Sequence, residues 1–427
     1  MRIAWIGGVS VSPGGGAGWI GSLSLEAVLK TGAIVDYYRA AEEFPKHLLN
    51  YSNLTVVNSL ESTWWDWEKW YSNTPIKAFI SGTIARIQNY NQISDKVLEN
   101  HLKLPYDCIF QFSQTELFRL GSHLDQLPPV IIYPGNHAAG EFHWHKKESS
   151  YALQVESPIT HYLVRIFLKY RTWFQSREMK KPKMVIGMSQ RFNILATKDY
   201  QLLPERQDIL YHPIPLPSIQ DIAESDALAE VRKEVNILFI SRMSVRKGLE
   251  YVIELSHRLQ DLEGQVNIKL IGGFTQWSNY SGHLKDLNPK IAQYMESMDR
   301  QELTSAYVNA DILVIPSLYE PGGIVVGEAL SHGLCVVASD AIGSAEVLSG
   351  PAIREFPTGD MDKFEQTVRQ LIKELQSTNR QPIRDAARAE CKQHFDPDKI
   401  GRQLIEILSK VSRKEKEIKE LVNVAEK

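Results

Sequence analysis

Apolar residues in this chain gather into short runs, bounded by turn residues, that alternate with longer stretches of helical period. Arg2–Gly7, Ile34–Tyr38, Leu54–Asn58, Cys108–Phe112, Val130–Tyr133 and Met184–Met188 form one series. Ile237–Ile240, Ile268–Ile271, Ile312–Ile315 and Cys335–Ser339 form a second. Continuous apolar runs suit parallel strands buried on both faces, and their alternation with helices suits βαβ units. Two series separated by a break predict an α/β protein of two doubly wound, Rossmann-like domains.

Proline marks the break. Tyr211–Ser218 holds Pro213, Pro215 and Pro217 and can be neither helix nor central strand; a polar stretch to Glu234 follows. An N-terminal domain is expected over 1–215, a linker over 216–233 and a C-terminal domain over 234–400. Residues 401–427 end in a charged segment with Ile and Leu at helical spacing, which predicts an amphipathic or exposed final helix.

Charge and cysteine usage narrow the class. A net charge of −3 over 427 residues gives no field aimed at nucleic acid. Cys108, Cys335 and Cys391 lie far apart, which excludes a disulfide framework or a CxxC metal site and makes a reducing compartment the default. The start, MRIAWIGG, lacks a signal-peptide core, and no apolar run approaches the roughly 18 residues of a span. A cytoplasmic protein is expected, with docking at the inner face of the membrane left open. For such docking the stretch 159–183 stands out, because it mixes aromatics with seven Lys or Arg. A core-packed helix with a solvated basic side is its plainer reading. Trp64, Trp65, Trp67 and Trp70 could line an acceptor cleft by stacking on sugar faces, or pack in a core.

Candidate chemistry concentrates in the second series. Arg242 and Lys247 follow the carboxyl end of strand Ile237–Ile240, where open α/β sheets bind ligands. Their spacing lets a guanidinium fork and an ammonium reach one diphosphate, or leaves an ordinary basic turn. Strand Ile312–Ile315 runs into Glu320-Pro321-Gly322-Gly323, then Ile324, Val325 and Glu328 on a likely helix start read from the pattern. Paired glycines admit a ligand close to backbone, and the following helix offers free N–H groups. Two glutamates could accept hydrogen bonds from a sugar and a ribose, or merely complement a helix dipole. Glu346 reads equally as a brace for that loop or as an early-turn carboxylate. His143 and His145 with Glu141 lack the partners of a zinc site, and Asp360-Met-Asp362 lies past the candidate site, so no metal ligands are assigned.

YEPGGIVVGEALSHGLCVVASDAIGSAEVL resembles the Glu-x7-Glu signature region of glycosyltransferase family 4, a retaining family of GT-B fold. ISRMSVRKGLEYVIE is similar to that family's diphosphate-binding turn, IKLIGG to a strand of the same domain, and NADILVIPSLYEP to the segment entering the signature. The match covers most of Asn236–Phe356 in order. It implies the GT-B arrangement, two doubly wound Rossmann-like domains with parallel sheets facing across a cleft. It further implies that Arg242 and Lys247 bind the donor diphosphate, that Glu320 holds the donor sugar and Glu328 the ribose. Backbone around Gly323, Ile324 and Val325 would contact phosphate and sugar. Gly322 stands where the family usually has a bulky residue, which changes the sugar pocket.

The first half matches more loosely. After YDCIFQFSQTELFRLGSHLDQLPPVIIYPGNHAAGEFHWH, the resemblance puts His137 beside the transferred sugar as a catalytic group. It puts the loop of Gly14, Gly15 and Gly16 against the donor. The implied activity is hexosyltransferase-like: retaining transfer from a nucleotide-diphosphate sugar to a hydroxyl of a glycan, glycolipid or small molecule. Neither metal nor cofactor is expected. The alternatives are a non-catalytic nucleotide-sugar-binding protein and a GT-B epimerase.

Overall fold

The computed structural model describes residues 1–9, 16–38, 44–58, 75–113, 116–147, 158–274 and 280–425. Every strand pairing among them is parallel. The first sheet uses β1 (Arg2–Ile6), β2 (Ile34–Tyr38), β3 (Leu54–Val57), β4 (Cys108–Phe112), β5 (Val130–Tyr133), β6 (Met184–Gly187) and β7 (Gln207–Ile209). Their order is β3-β2-β1-β4-β5-β6-β7. The second sheet uses β8 (Val235–Ile240), β9 (Val266–Ile271), β10 (Ala292–Met295), β11 (Ile312–Ile315), β12 (Cys335–Ser339) and β13 (Ile353–Phe356). Its order is β10-β9-β8-β11-β12-β13.

The order in which strands are added reverses between β1 and β4 in one sheet and between β8 and β11 in the other, while all strands keep one direction. At such a switch point the connecting helices leave on opposite faces, and the loops at the strands' carboxyl ends part to form a crevice. All residues of β11 and β12 are buried, as the runs ILVI and CVVAS suit strands covered on both faces; the one polar side chain, Ser339, donates to the Ser317 carbonyl.

The chain divides into two compact units whose bounds depart from those expected. Met1–Ala139, Ile166–Pro213 and Pro397–Lys427 make the first; Gly140–Arg165 and Ile214–Asp396 make the second. Two corrections follow. The expected linker over 216–233 is largely the helix Ile219–Val231, capped by Ser218, whose hydroxyl accepts from the Asp221 N–H at 3.1 Å. Asp226 pairs with Arg384 at 2.8 Å and also with Arg388, which ties this helix into the second unit. The final helix begins at Pro397, not near 401, and is not simply exposed. Ile400, Leu404 and Leu408 are buried at i, i+4 spacing, and Ser412 donates to the Asp107 carbonyl at 2.9 Å, so this helix packs within the first unit.

Candidate functional site

In the second unit the two strands flanking the switch point each end in a loop that carries predicted site residues. After β8 the chain passes Arg242, makes one tight turn over Val245–Lys247 and enters the helix Leu249–Arg258 through Gly248. Gly248 sits at φ +80°, and a Cβ there would come within 2.2 Å of the Pro316 carbonyl oxygen, so only glycine fits. The Leu318 N–H donates to the Arg246 carbonyl at 2.9 Å. These contacts lock the Lys247 turn against the loop that follows β11.

That second loop is braced from its other side. Glu320 forms a parallel bridge with Ile342, and its carbonyl accepts from the Gly343 N–H at 2.9 Å. The Ser344 N–H donates to the Gly322 carbonyl at 2.7 Å, and the Ser344 hydroxyl to the Gly323 carbonyl at 2.8 Å. Backbone and Ser344 thus brace this loop from the turn that follows β12. Gly323 lies at φ +106° and opens the helix Ile324–Ser331. The N–H groups of Gly323, Ile324 and Val325 have no hydrogen-bond acceptor among the described residues. They present the positive end of the helix, an anion-binding arrangement.

The charges meet at Lys247. Its ammonium pairs with the Glu320 carboxylate. Burial pushes the lysine well below the usual range, and the guanidiniums of Arg246 and Arg242 push it the same way; Glu141 opposes them. Arg242 itself is exposed. An anion arriving beside this cluster would favour the charged lysine by opposite charge, offsetting burial and the repulsion from the two guanidiniums. Glu141 was considered in sequence only as a metal ligand. The structure instead puts it in the helix Ala138–Lys147, where the preceding Gly140 abuts Tyr319, leaving no room for a Cβ. A Gly-Glu pair gives no sequence signal of that contact.

Glu328 lies in the second turn of its helix and is buried. One carboxylate oxygen accepts from the Arg300 guanidinium at 2.5 Å and the other from the Tyr307 hydroxyl at 3.0 Å. Sequence reasoning found Glu328 but neither partner. Asp299-x-x-Glu302 is a capping box that marks the start of the helix bearing both, and it was the available signal.

His137, expected beside the transferred sugar, lies in the core. It belongs to the first unit, its side chain is fully buried, and its ring meets Phe192 and Tyr200 edge-on at 5.9 and 5.0 Å. Nε2 lies 3.2 Å from an Asp199 carboxylate oxygen, and burial lowers the imidazole to about 4. The ring is packed among core side chains of the first unit and is held neutral by burial. Gly16 begins the helix Gly16–Lys30 rather than lying in a loop. Gly14 and Gly15 lie outside the described residues, as do Trp64, Trp65, Trp67 and Trp70. The His143–His145 segment is helical, and His145 stacks on His161 at 4.2 Å. Asp360 caps the helix Met361–Ser377. Among the described residues no group of three or more His, Cys, Asp or Glu could hold a metal ion, and no helix is long and apolar enough to cross a membrane.

Residues 221–389 match the family model "Glycosyl transferases group 1". An uncharacterized glycosyltransferase, MJ1607, of Methanocaldococcus jannaschii is 34% identical over 121 residues, which cover 27% of this chain and 30% of that protein. Alpha-maltose-1-phosphate synthase of Mycolicibacterium smegmatis is 23% identical over 260 residues, covering 56% of this chain and 66% of that one. The alignments therefore span less than two thirds of these relatives' own lengths. Among solved structures, Anabaena HepE in complex with UDP aligns over 96% of this chain and 100% of its own, at TM-score 0.62 and 18% identity. The chain has the GT-B fold of two Rossmann-like domains with parallel sheets.

Proposed function

We propose that this chain is a retaining glycosyltransferase that moves a sugar from a nucleotide-diphosphate sugar to an acceptor hydroxyl. The observation that carries it is the cluster at the carboxyl ends of β8 and β11. There Lys247 contacts Glu320, Arg242 contributes its field, and the unpaired amides of Gly323, Ile324 and Val325 follow three residues on.

Breaking the bond between the anomeric carbon and the diphosphate leaves negative charge on the departing group. Lys247, Arg242 and the helix-end amides are fixed cations and dipoles suited to neutralise it, and no metal ion is required in this scheme. The incoming diphosphate favours the charged form of Lys247, which burial otherwise disfavours. It also competes for the ammonium, leaving the Glu320 carboxylate to accept from sugar hydroxyls. The acceptor oxygen bonds to the same face of the anomeric carbon, and its proton passes to the departing diphosphate. Glu328 accepts from the ribose. No protein general base is assigned, and His137 takes no part.

UDP-sugars are the first donors to test, since the HepE structure carries UDP. The acceptor is a glycan or a lipid-linked molecule. A peripheral position on the inner face of the membrane is supported by the helix Pro158–Glu178. Ile166, Tyr170 and Trp173 are exposed on its outer side with Lys169 and Arg177, while Val164, Leu168 and Gln175 are buried on the other.

Calorimetric titration of UDP-, GDP- and ADP-sugars tests the donor, and product analysis with and without acceptor tests transfer. Failure of all donors to bind defeats the proposal. Tight binding without turnover on any acceptor would favour a non-catalytic binding protein, and inversion at sugar C2 an epimerase.

A further inference from the structure

We infer that Arg300 and Tyr307 hold Glu328 as a ribose clamp and thereby give the site its preference for ribonucleotides over 2′-deoxyribonucleotides. This rests on the transferase reading above. A carboxylate has about four acceptor positions. Arg300 and Tyr307 occupy one on each oxygen and leave the others for a pair of vicinal hydroxyls.

The clamp is built from both sides. Arg300 is the first residue of the helix Arg300–Val308, fixed by reciprocal bonds: Asp299 accepts from the Glu302 N–H and Glu302 from the Asp299 N–H, each at 2.9 Å. Tyr307, seven residues on, lies on the same face of that helix. Burial, then the Glu328 charge, raises the Tyr307 phenol well above its ordinary value, so it stays a neutral donor. Its ring stacks on His332 at 4.9 Å, and the His332 Nδ1 lies 2.8 Å from the Glu328 carbonyl. Backbone and side chain of Glu328 are thus held at once. The Arg300 side chain is 37% exposed against 10% for Glu328, so the guanidinium forms the open rim of the cage.

A carboxylate with fixed direction distinguishes a diol from a single hydroxyl better than one free to rotate. An oriented charged acceptor left without its hydroxyl partner costs binding, which a reorienting one recovers in part by turning to water.

The experiment titrates wild type, R300M, R300K and Y307F with UDP, GDP and ADP and with the 2′-deoxy form of each, alongside thermal melts. Wild type should prefer the ribo form by about tenfold or more. R300M and Y307F should move that ratio toward one, with affinity for the 2′-deoxy form changing by only about twofold, and R300K should restore part of it. Y307F removes a single hydroxyl and carries the test if R300M does not fold. A wild-type preference that persists unchanged in both variants overturns the clamp, leaving Arg300 and Tyr307 as packing partners. A wild-type ratio of one removes the ribose role of Glu328, and the clamp with it, without touching Lys247 or Glu320. No binding of any nucleotide overturns the transferase reading itself.

Discussion

Lys247 and Glu320 form an ion pair that joins the loop after β8 to the loop after β11. The cation expected at a diphosphate and the acid expected at a sugar therefore share one spot, where each limits the other's freedom. The transfer proposed for this place uses both, because phosphate charge and sugar hydroxyls would arrive together on one donor. Replacing Lys247 with Met should lower kcat/KM by roughly 10²–10³-fold, the loss typical of one transition-state donor. Glu320→Gln keeps the shape and one acceptor oxygen and should lower kcat more than it raises KM for the donor. Steady-state kinetics on the best donor from the screen would show this; kcat/KM within a few-fold of wild type in both variants would contradict the assignment.

Gly323→Ala should damage both fold and site. At φ +106° a side chain is strained, and a Cβ would meet the Ser344 hydroxyl and Ile342 at 2.7 and 2.8 Å. A loss of about 1–3 kcal/mol is expected in denaturant unfolding. Nucleotide affinity should fall further than in a control of equal stability, because the displaced amides are those proposed to bind the anion. Equal affinity in variant and control would remove the amides from the site.

His137→Ala should act through stability. Emptying a fully buried position between Phe192 and Tyr200 should cost about 2–3 kcal/mol. kcat per folded molecule should stay within a few-fold of wild type. A large drop in kcat without a shift in unfolding midpoint would restore the catalytic role that sequence resemblance suggested.

The same residue makes a pH prediction. Its folded value is about 4 against an ordinary 6.5, so the unfolded chain binds the proton first. Between pH 6.5 and 4 stability falls as pH falls, by up to about 1.4 kcal/mol per pH unit from this group. Glu250, raised by burial to about 7, has the opposite sign: its contribution is present in acid and is lost as pH rises from 4.5 through 7. Comparing wild type with His137→Phe isolates the histidine. The variant should lose the acid-side slope difference, and superimposable pH profiles would refute the assignment.

Binding to vesicles tests the exposed helix face. Wild type should sediment with vesicles containing anionic lipid and much less with neutral ones, and the W173A/K169E double substitution should abolish the difference. Lys169 is exposed, and Trp173 is 52% exposed with its ring against Tyr170 and Arg177, so the melting temperature should fall only slightly. Sedimentation unaffected by the substitutions would place any membrane contact elsewhere.

Sequence by itself determined the central strands and the order of the site loops. Ile312–Ile315 and Cys335–Ser339 coincide with β11 and β12, because a parallel strand covered on both faces is mostly apolar and reads as a near-continuous run. β10 and β13 escaped notice because edge strands keep exposed positions, which breaks the run. Arg242, Lys247, Glu320 and Glu328 could be named since each follows a strand end at fixed spacing. Only tertiary structure decided what each touches. Lys247 meets Glu320, Glu328 meets Arg300 and Tyr307, Glu141 lends its field to Lys247, and His137 turns into the core. Local pattern records which positions are apolar and which residues punctuate turns; it carries no record of partners brought together across a sheet, since those contacts depend on packing between distant segments.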